Sequence, residues 1–249
     1  MLFMKSENNN SKKITQKYSY GVLLYTGTGV ERKYLLIQNR DTEAFIYFFL
    51  AWNMEKWTDN YFLKVIRGFS RDELNRLLFY SFDILYTDLY VNHKKGTFQK
   101  QYDRALSNYN YFHSRKDWIR LCHNVQTTEI KWGFSKGRIE NGEDPVCCAM
   151  RELKEEVGIC KNDISVQATE PITYKNEKPL FKSIVNVCLF PAECSYELII
   201  NYHEFDNTIR CISVSNEVLH SKWVSIEESF FLLPSHLYRL LYEFHIKNI

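Results

Sequence analysis

The spacing of apolar positions divides the chain into strand-like outer parts and a helical middle. Residues 18–25 and 33–39 are apolar and aromatic runs separated by a short segment with two glycines, which predicts a β-hairpin. The stretch from about residue 43 to about residue 126 is rich in aromatics and predicted to be mostly helical. Within it, Ser70 and Glu73 have capping-box spacing. Helical spacing then continues through Leu74, Leu77, Leu78, Ser81 and Leu85.

The second half of the chain returns to strand-like runs. A strand is predicted over residues 127–134. Residues 164–174 and 180–190 predict a strand pair joined by the polar segment 175–179. A shorter strand is predicted at residues 218–224.

One helix in this half has well-defined ends. Asp144 suits the N-cap, Pro145 the first helical position and Gly158 the C-cap. Ser225 and Glu228 predict a second capping box near the C-terminus. The first helix also has an apolar face, made of Val146, Ala149, Met150, Leu153 and Val157.

The same helix carries three carboxylates on one face. Glu152, Glu155 and Glu156 are spaced i, i+3 and i+4, so their charges repel each other. A divalent cation such as Mg2+ or Mn2+ would relieve that repulsion, because hard cations prefer carboxylate oxygens. Arg151 lies one turn before Glu155 and near Glu143, where it can orient the acids. The alternative is a solvated acidic helix with a structural role.

These residues belong to a longer pattern that resembles the Nudix box. Its fixed positions are Gly137, Glu143, Arg151-Glu152-Leu153, Glu155-Glu156 and Gly158-Ile159. The preceding segment, residues 132–137, resembles the W-x-F-P-K-G entry of mRNA-decapping Nudix enzymes. Ser135 stands where that entry has proline, and Arg138 stands where lysine is usual.

The resemblance implies a fold and a domain organisation. A Nudix domain is an α/β/α sandwich with a mixed sheet, and here a mostly helical inserted domain would interrupt it. We therefore assign residues 18–43 and 127–249 to the Nudix domain and residues 44–126 to the insertion. Residues 1–17 are expected to be a flexible tail. A chain of 249 residues is long enough for this arrangement.

The size and the insertion resemble the decapping Nudix enzymes of large DNA viruses, of the African swine fever virus type. This resemblance implies hydrolysis of capped mRNA to methylguanosine diphosphate and 5′-monophosphate RNA, and hence degradation of host mRNA. It also implies a location in the cytoplasm of an infected host cell. No stable protein partner is implied.

The predicted metal site binds Mg2+ or Mn2+. The resemblance implies a further carboxylate, Glu217, which would reach back to the metal cluster from a loop before the last strand. Glu204, Glu227 and Glu228 are alternatives, although the last two fit helix capping better. The predicted ligands are Glu143, Glu152, Glu155, Glu156 and the backbone carbonyl of Gly137. The candidates for the general base are Glu152, Glu156 and Glu217.

Composition adds limits to this interpretation. A hydrophobic content of 45% and a charged content of 25% are ordinary for a globular protein. No apolar run reaches the roughly 18 residues of a membrane span, and the polar N-terminal segment is not a secretory signal. The seven cysteines include no CxxC pair, so we expect reduced thiols and no zinc site.

Charge is distributed unevenly. Residues 44–126 carry 12 basic and 8 acidic side chains, whereas residues 127–249 carry 13 and 18. A basic middle beside an acidic half suits a phosphate-rich polymer, and random surface charge is the alternative. The predicted substrate-binding residues are Trp132, Phe134, Lys136 and Arg138. The predicted RNA-binding residues are Lys94, Lys95, Lys100, Arg104, Arg115, Lys116 and Arg120.

Three functions fit these observations. The first is hydrolysis of capped mRNA. The second is hydrolysis of diphosphoinositol polyphosphates or dinucleoside polyphosphates, which needs the same metal cluster. The third is RNA binding by a non-catalytic Nudix scaffold. The complete acid set favours an enzyme, because a binding module has no need of so many mutually repelling carboxylates.

Overall fold

The computed structural model describes residues 16–89, 99–194 and 217–249. Its centre is an eight-stranded mixed sheet. The strands are β1 (Gln16–Thr26), β2 (Lys33–Asn39), β3 (Trp132–Gly133), β4 (Lys136–Gly137), β5 (Ile164–Val166), β6 (Ile172–Lys178), β7 (Ser183–Cys194) and β8 (Val218–Val224).

Strand β1 organises the sheet. It pairs in parallel with β7 along its whole length, from Gln16 opposite Ile184 to Thr26 opposite Cys194. The predicted hairpin is confirmed, since β1 and β2 pair antiparallel next to their connection. Strand β4 also pairs with β1, β6 and β5 pair with β7, and β3 and β8 pair with β2.

Helices surround the sheet within the described ranges. They are α1 (Glu43–Leu50), α2 (Asp59–Ile66), α3 (Arg71–Phe79), α4 (Phe82–Leu89), α5 (Gln99–Ser114), α6 (Lys116–His123), α7 (Pro145–Val157), α8 (Ile226–Leu232) and α9 (Ser235–Lys247). Helices α1 to α6 lie between β2 and β3 in the chain. The search of the described residues for a helix able to cross a bilayer found none.

Both faces of the sheet are covered, because side chains alternate along a strand. Val22 and Leu24 of β1 pack beneath α7, where they contact a cluster that includes Leu153. Leu23 and Tyr25 face the opposite way, into a cluster with residues of α9 such as Leu241. The predicted α/β/α sandwich is therefore confirmed.

The helices α1 to α6 have a core of their own. Phe45, Phe48, Phe62 and Trp118 are fully buried in it. The rings of Phe62 and Trp118 stack with centroids 4.1 Å apart. This core shows how the aromatic-rich segment folds, while the interpretation of residues 44–126 as an inserted domain stays a prediction.

Two predicted elements in this region need correction. The helix predicted from Ser70 onward has its capping box, but it ends at Phe79 and a new helix starts at Phe82. The strand predicted over residues 127–134 exists only at Trp132–Gly133. The backbone before Trp132 makes a hydrogen bond outside the sheet, since the amide of Thr128 donates to the carbonyl of Phe69 at 2.8 Å.

The predicted strand pair after α7 is also different. Residues 164–174 form parts of two strands, β5 and β6, and most of the expected connection at 175–179 is strand β6. Its polar residues fit an outer strand with one solvated face. The chain turns after Pro179, where Lys182 adopts a left-handed conformation with φ +48°.

A buried carboxylate joins the helical part to the end of β2. Glu73 is fully buried and accepts hydrogen bonds from the backbone amide and hydroxyl of Thr42. It also accepts from the amide of Ser70 at 2.6 Å. Beside it, Arg76 forms an ion pair with Asp41 at 2.5 Å. The capping box of α3 therefore also positions the residues that follow β2.

We predict that Glu73→Ala lowers the unfolding free energy by about 2–4 kcal/mol, because it leaves buried donors without an acceptor. The matched control is Glu228→Ala, which removes the equivalent carboxylate from the exposed capping box of α8. It should cost about 1 kcal/mol. Urea unfolding followed by circular dichroism measures both changes, and equal losses would contradict the joining role of Glu73.

Candidate active site

Helix α7 is fixed at both ends and on one face. The side chain of Asp144 accepts hydrogen bonds from the amides of Val146 at 2.9 Å and Cys147 at 3.0 Å. Gly158 ends the helix with φ +77°. The predicted caps are confirmed, and the apolar face is packed on the sheet. The acidic positions of the helix consequently point to the edge where β4 lies.

A cavity of about 490 Å³ opens beside this edge. Its walls come from the sheet, from α7 and from the helical part of the chain. The carboxylates that line it are Glu152, Glu156, Glu217 and Asp41. The cations that line it are Arg40, Lys136, Arg138 and Lys178. Apolar residues of α1 and α4 complete the wall: Ile46, Leu50 and Leu89.

Glu152 is held against the backbone of Gly137. A Cβ atom at Gly137 would lie 1.8 Å from the carboxyl carbon of Glu152, so only glycine permits this approach. The carbonyl of Gly137 accepts a hydrogen bond from the hydroxyl of Ser19 at 2.9 Å. Burial raises the pKa of Glu152, and the charges of Glu155 and Glu217 raise it further. The site thus concentrates negative charge.

Glu156 is the most buried acid of the cavity, with 8% of its surface exposed. It accepts a hydrogen bond from the amide of Lys136 at 3.1 Å. Burial raises the pKa of Glu156 to about 7. Burial also lowers the pKa of the Lys136 side chain, which opens onto the same cavity. Both groups therefore carry a charge that this environment disfavours.

Arg151 binds the acids at the outer rim of the cavity. Its guanidinium donates two hydrogen bonds of 3.0 Å to Glu143, and these lower the pKa of that carboxyl. It also donates to Glu152 at 2.7 Å and to Glu155 at 3.1 Å. Glu143 and Glu155 therefore bind to Arg151, and neither of them lines the cavity. The predicted orienting role of Arg151 agrees with this geometry.

The donor set fits Mg2+ or Mn2+. In the described part of the chain, no group of three or more His, Cys, Asp or Glu side chains is close enough to hold a metal ion alone. Mg2+ usually binds one or two protein carboxylates and completes its shell with water and substrate phosphates. Glu152, Glu156 and Gly137 line one cavity and satisfy that requirement, and burial raises the pKa of both carboxyls.

Other predicted residues are placed differently. Glu217 lines the cavity, and its carbonyl accepts from the amide of Arg40 at 2.7 Å. The alternative Glu204 lies outside the described residues, while Glu227 and Glu228 are on α8 next to its N-cap. Phe134 is buried in the core, whereas Trp132 borders two open recesses next to the cavity.

The predicted RNA-binding residues are only partly described. Lys94 and Lys95 lie outside the described residues. Arg104 packs over the ring of Trp52, 3.2 Å from its centroid, and Arg115 is paired with Asp59 and Asp117. The remaining members are exposed on α5 and α6: Lys100, Lys116 and Arg120. Their RNA-binding role stays a prediction.

Sequence reasoning missed several residues of the cavity. Arg40 and Asp41 follow β2, where Arg40 donates to Asp41 at 2.9 and 3.0 Å. Lys178 ends β6 and forms an ion pair with Glu43 of α1. None of them belongs to a motif, and only the folded arrangement brings them to Glu156.

Comparison with known proteins identifies one family. A family model described as the NUDIX domain matches residues 112–243. Nudix hydrolase 25 of Arabidopsis thaliana is 42% identical over 55 residues, covering 22% of this chain and 31% of the relative. An RNA pyrophosphohydrolase of Vibrio cholerae is 43% identical over 53 residues, covering 20% and 31%. The chain thus spans about a third of the length of these relatives.

Two solved structures align with most of this chain. A binary complex of a C. elegans Ap4A hydrolase aligns over 92% of this chain and 94% of its own, with 14% identity and a TM-score of 0.47. An E. coli dihydroneopterin triphosphate pyrophosphohydrolase aligns over 94% and 99%, with 13% identity and a TM-score of 0.42.

We predict a pH-dependent stability difference between the wild type and Glu156→Gln in EDTA. Because the pKa of Glu156 is raised from 4.5 to about 7, the folded state binds more protons than the unfolded chain. The wild type therefore loses stability as the pH rises from about 4.5 to about 7. The variant lacks this loss, so its advantage should be about 3 kcal/mol larger at pH 8 than at pH 4.

Urea unfolding at the two pH values measures this difference. Glu155→Gln is the matched control, since that exposed side chain lies one residue away on the same helix. It should change the unfolding free energy by less than about 0.5 kcal/mol at both pH values. An equal advantage of Glu156→Gln at both pH values would disprove the unfavourable burial of its charge.

Proposed function

The chain belongs to the Nudix family, and from this we propose that it is a pyrophosphohydrolase acting on capped mRNA. The products would be methylguanosine diphosphate and 5′-monophosphate RNA. The observation that carries the proposal is one cavity in which buried carboxylates face several cations. Carboxylates hold divalent metal, whereas cations hold phosphate, and a pyrophosphate substrate requires both.

Nudix hydrolases generally use divalent metal ions such as Mg2+ or Mn2+. In this chain, Glu152, Glu156 and the Gly137 carbonyl would hold the ion, with Glu155 and Glu143 supporting them through Arg151. The bound ion supplies charge neutralisation of the phosphate oxygens and polarisation of phosphorus.

The residues of the chain then divide the remaining tasks. Glu156 has a pKa of about 7, which suits a group that accepts a proton from water near neutral pH. Glu217 and Glu152 line the same cavity and remain alternatives for this role. Lys136 and Arg138 lie where they can bind the phosphates or the RNA backbone. Arg151 keeps the outer acids in place.

Two features support capped RNA as the substrate. The segment from Trp132 to Gly137, which resembles the decapping entry except at Ser135, forms part of the cavity wall through its last two residues. Helices α1 and α4 of the basic middle region also contribute to that wall, through Ile46, Leu50 and Leu89. We further propose that the protein is of the viral decapping type and acts in the cytoplasm of an infected cell.

The basic wall of the cavity also favours a second candidate. Arg40, Lys136, Arg138 and Lys178 would suit a small substrate with many phosphates, such as a diphosphoinositol polyphosphate. A dinucleoside polyphosphate would use the same groups. The two classes differ in whether the substrate has to extend past α5 and α6, as an RNA would.

We predict that cap-labelled RNA incubated with the protein and Mg2+ or Mn2+ releases methylguanosine diphosphate. Glu156→Gln should reduce this release by about 100-fold or more, because it removes both a metal ligand and a proton acceptor. Glu243→Gln, a change of an exposed acid on α9, serves as the control and should release product at the wild-type rate. Thin-layer chromatography resolves the products.

Each outcome separates the candidates. Release from capped RNA supports the decapping proposal, whereas turnover of only a diphosphoinositol polyphosphate or a dinucleoside polyphosphate supports the second candidate. Failure of every pyrophosphate substrate, together with tight RNA binding, would leave the non-catalytic RNA-binding function. Wild-type release by Glu156→Gln would remove Glu156 from the catalytic residues.

A further inference from the structure

A small recess lies beside the cavity that holds the acids. It has a volume of about 160 Å³ and is lined by the aromatic side chains of Trp132, Tyr174 and His236. The rings of Tyr174 and His236 have centroids 6.3 Å apart and are inclined at 58°. None of these rings has a role in the acid and cation cluster described above.

The recess and the cavity share part of their lining. Asn39, Lys136 and Asn176 border both. Lys136 could therefore contact the phosphates of a ligand whose base lies in the recess. The recess thus adjoins the place where a diphosphate would bind.

The chemistry of the recess suits a flat heterocycle. Aromatic walls offer stacking surfaces, and a cationic base gains further attraction from them. The amides of Asn39 and Asn176 provide both donors and acceptors, which is what the edge of a purine requires. An apolar pocket with a few convergent polar groups is the usual form of a small-molecule site.

An exposed aromatic residue stands at the outer side. A wider depression of about 1110 Å³ is lined by Trp132, Asn176 and His236 of the recess together with Phe231 of α8. Phe231 is 83% exposed, although large apolar side chains are usually covered. A base that protrudes from the recess into this depression would bury part of this ring.

We propose that this recess binds the purine base of the leaving nucleoside diphosphate, with its phosphates at Lys136. This inference rests on the proposed pyrophosphohydrolase function and adds the subsite that would select the nucleotide. Trp132, Tyr174 and His236 provide the stacking surface, and Asn39 and Asn176 contact the edge of the base. Methylated and unmethylated guanine share this chemistry, so the test compares them.

Binding of 7-methylguanosine diphosphate, GDP and inorganic pyrophosphate is measured by isothermal titration calorimetry in EDTA, which separates binding from turnover. His236→Ala and Tyr174→Leu should each weaken binding of 7-methylguanosine diphosphate about tenfold, because they remove a stacking surface. Pyrophosphate affinity should not change. His236 is exposed, so its replacement leaves the fold intact.

Matched controls use equivalent side chains elsewhere. His220→Ala removes an exposed histidine of β8, and Phe230→Ala removes the neighbour of Phe231; in the described part of the chain neither lines the recess. Both should bind 7-methylguanosine diphosphate like the wild type, whereas Phe231→Ala should weaken it. Stronger binding of 7-methylguanosine diphosphate than of GDP would assign the recess to the methylated cap.

Two results would overturn the proposal. In the first, 7-methylguanosine diphosphate binds no more tightly than pyrophosphate. In the second, His236→Ala and Tyr174→Leu leave its binding unchanged. Failure of this proposal can be distinguished experimentally from failure of the proposed function. If capped RNA is hydrolysed but these variants bind nucleotide normally, the recess fails and the hydrolase stands. If no pyrophosphate substrate is hydrolysed but nucleotide binding depends on the recess, the recess is a base-binding site and the proposed hydrolase function is wrong.

Discussion

The carboxylate of Glu152 rests against the Cα atom of Gly137 so closely that one added methyl group would occupy its place. This contact sets how near α7 can lie to β4, and so how near the acids of the helix lie to Lys136. The docking of α7 on Val22 and Leu24 brings the two elements together, and the missing side chain at Gly137 admits the final approach. The depth of the site follows from that arrangement.

The charges of the site are not evenly compensated. Arg151 compensates the acids at the rim, where it can reach Glu143 and Glu155 while remaining partly hydrated. Deeper in the cavity, Glu156 and Lys136 are close to one another in an environment that penalises both charges. A site of this kind gains stability when ions and phosphates arrive, because the ligand supplies the solvation that burial has removed.

Local sequence signals predicted the parts of this structure that depend on neighbouring residues. The caps at Asp144 and Gly158 were correct because each acts within one helical turn. The limits of β6 were wrong, since pairing with β7 decides whether a polar segment becomes a strand. For the same reason, the sequence did not predict that Arg40 and Lys178 line the cavity. Their place in the cavity results from contacts between distant parts of the chain, which a motif does not encode.

The helical part of the chain is tied to the cavity at two points. Arg76 holds Asp41 at the end of β2, and Glu43 holds Lys178 at the end of β6. Each of these acidic–basic pairs places one member in the cavity wall, Asp41 in the first and Lys178 in the second. A movement of the helical part against the sheet would consequently reshape the cavity, because one member of each pair lies in its wall.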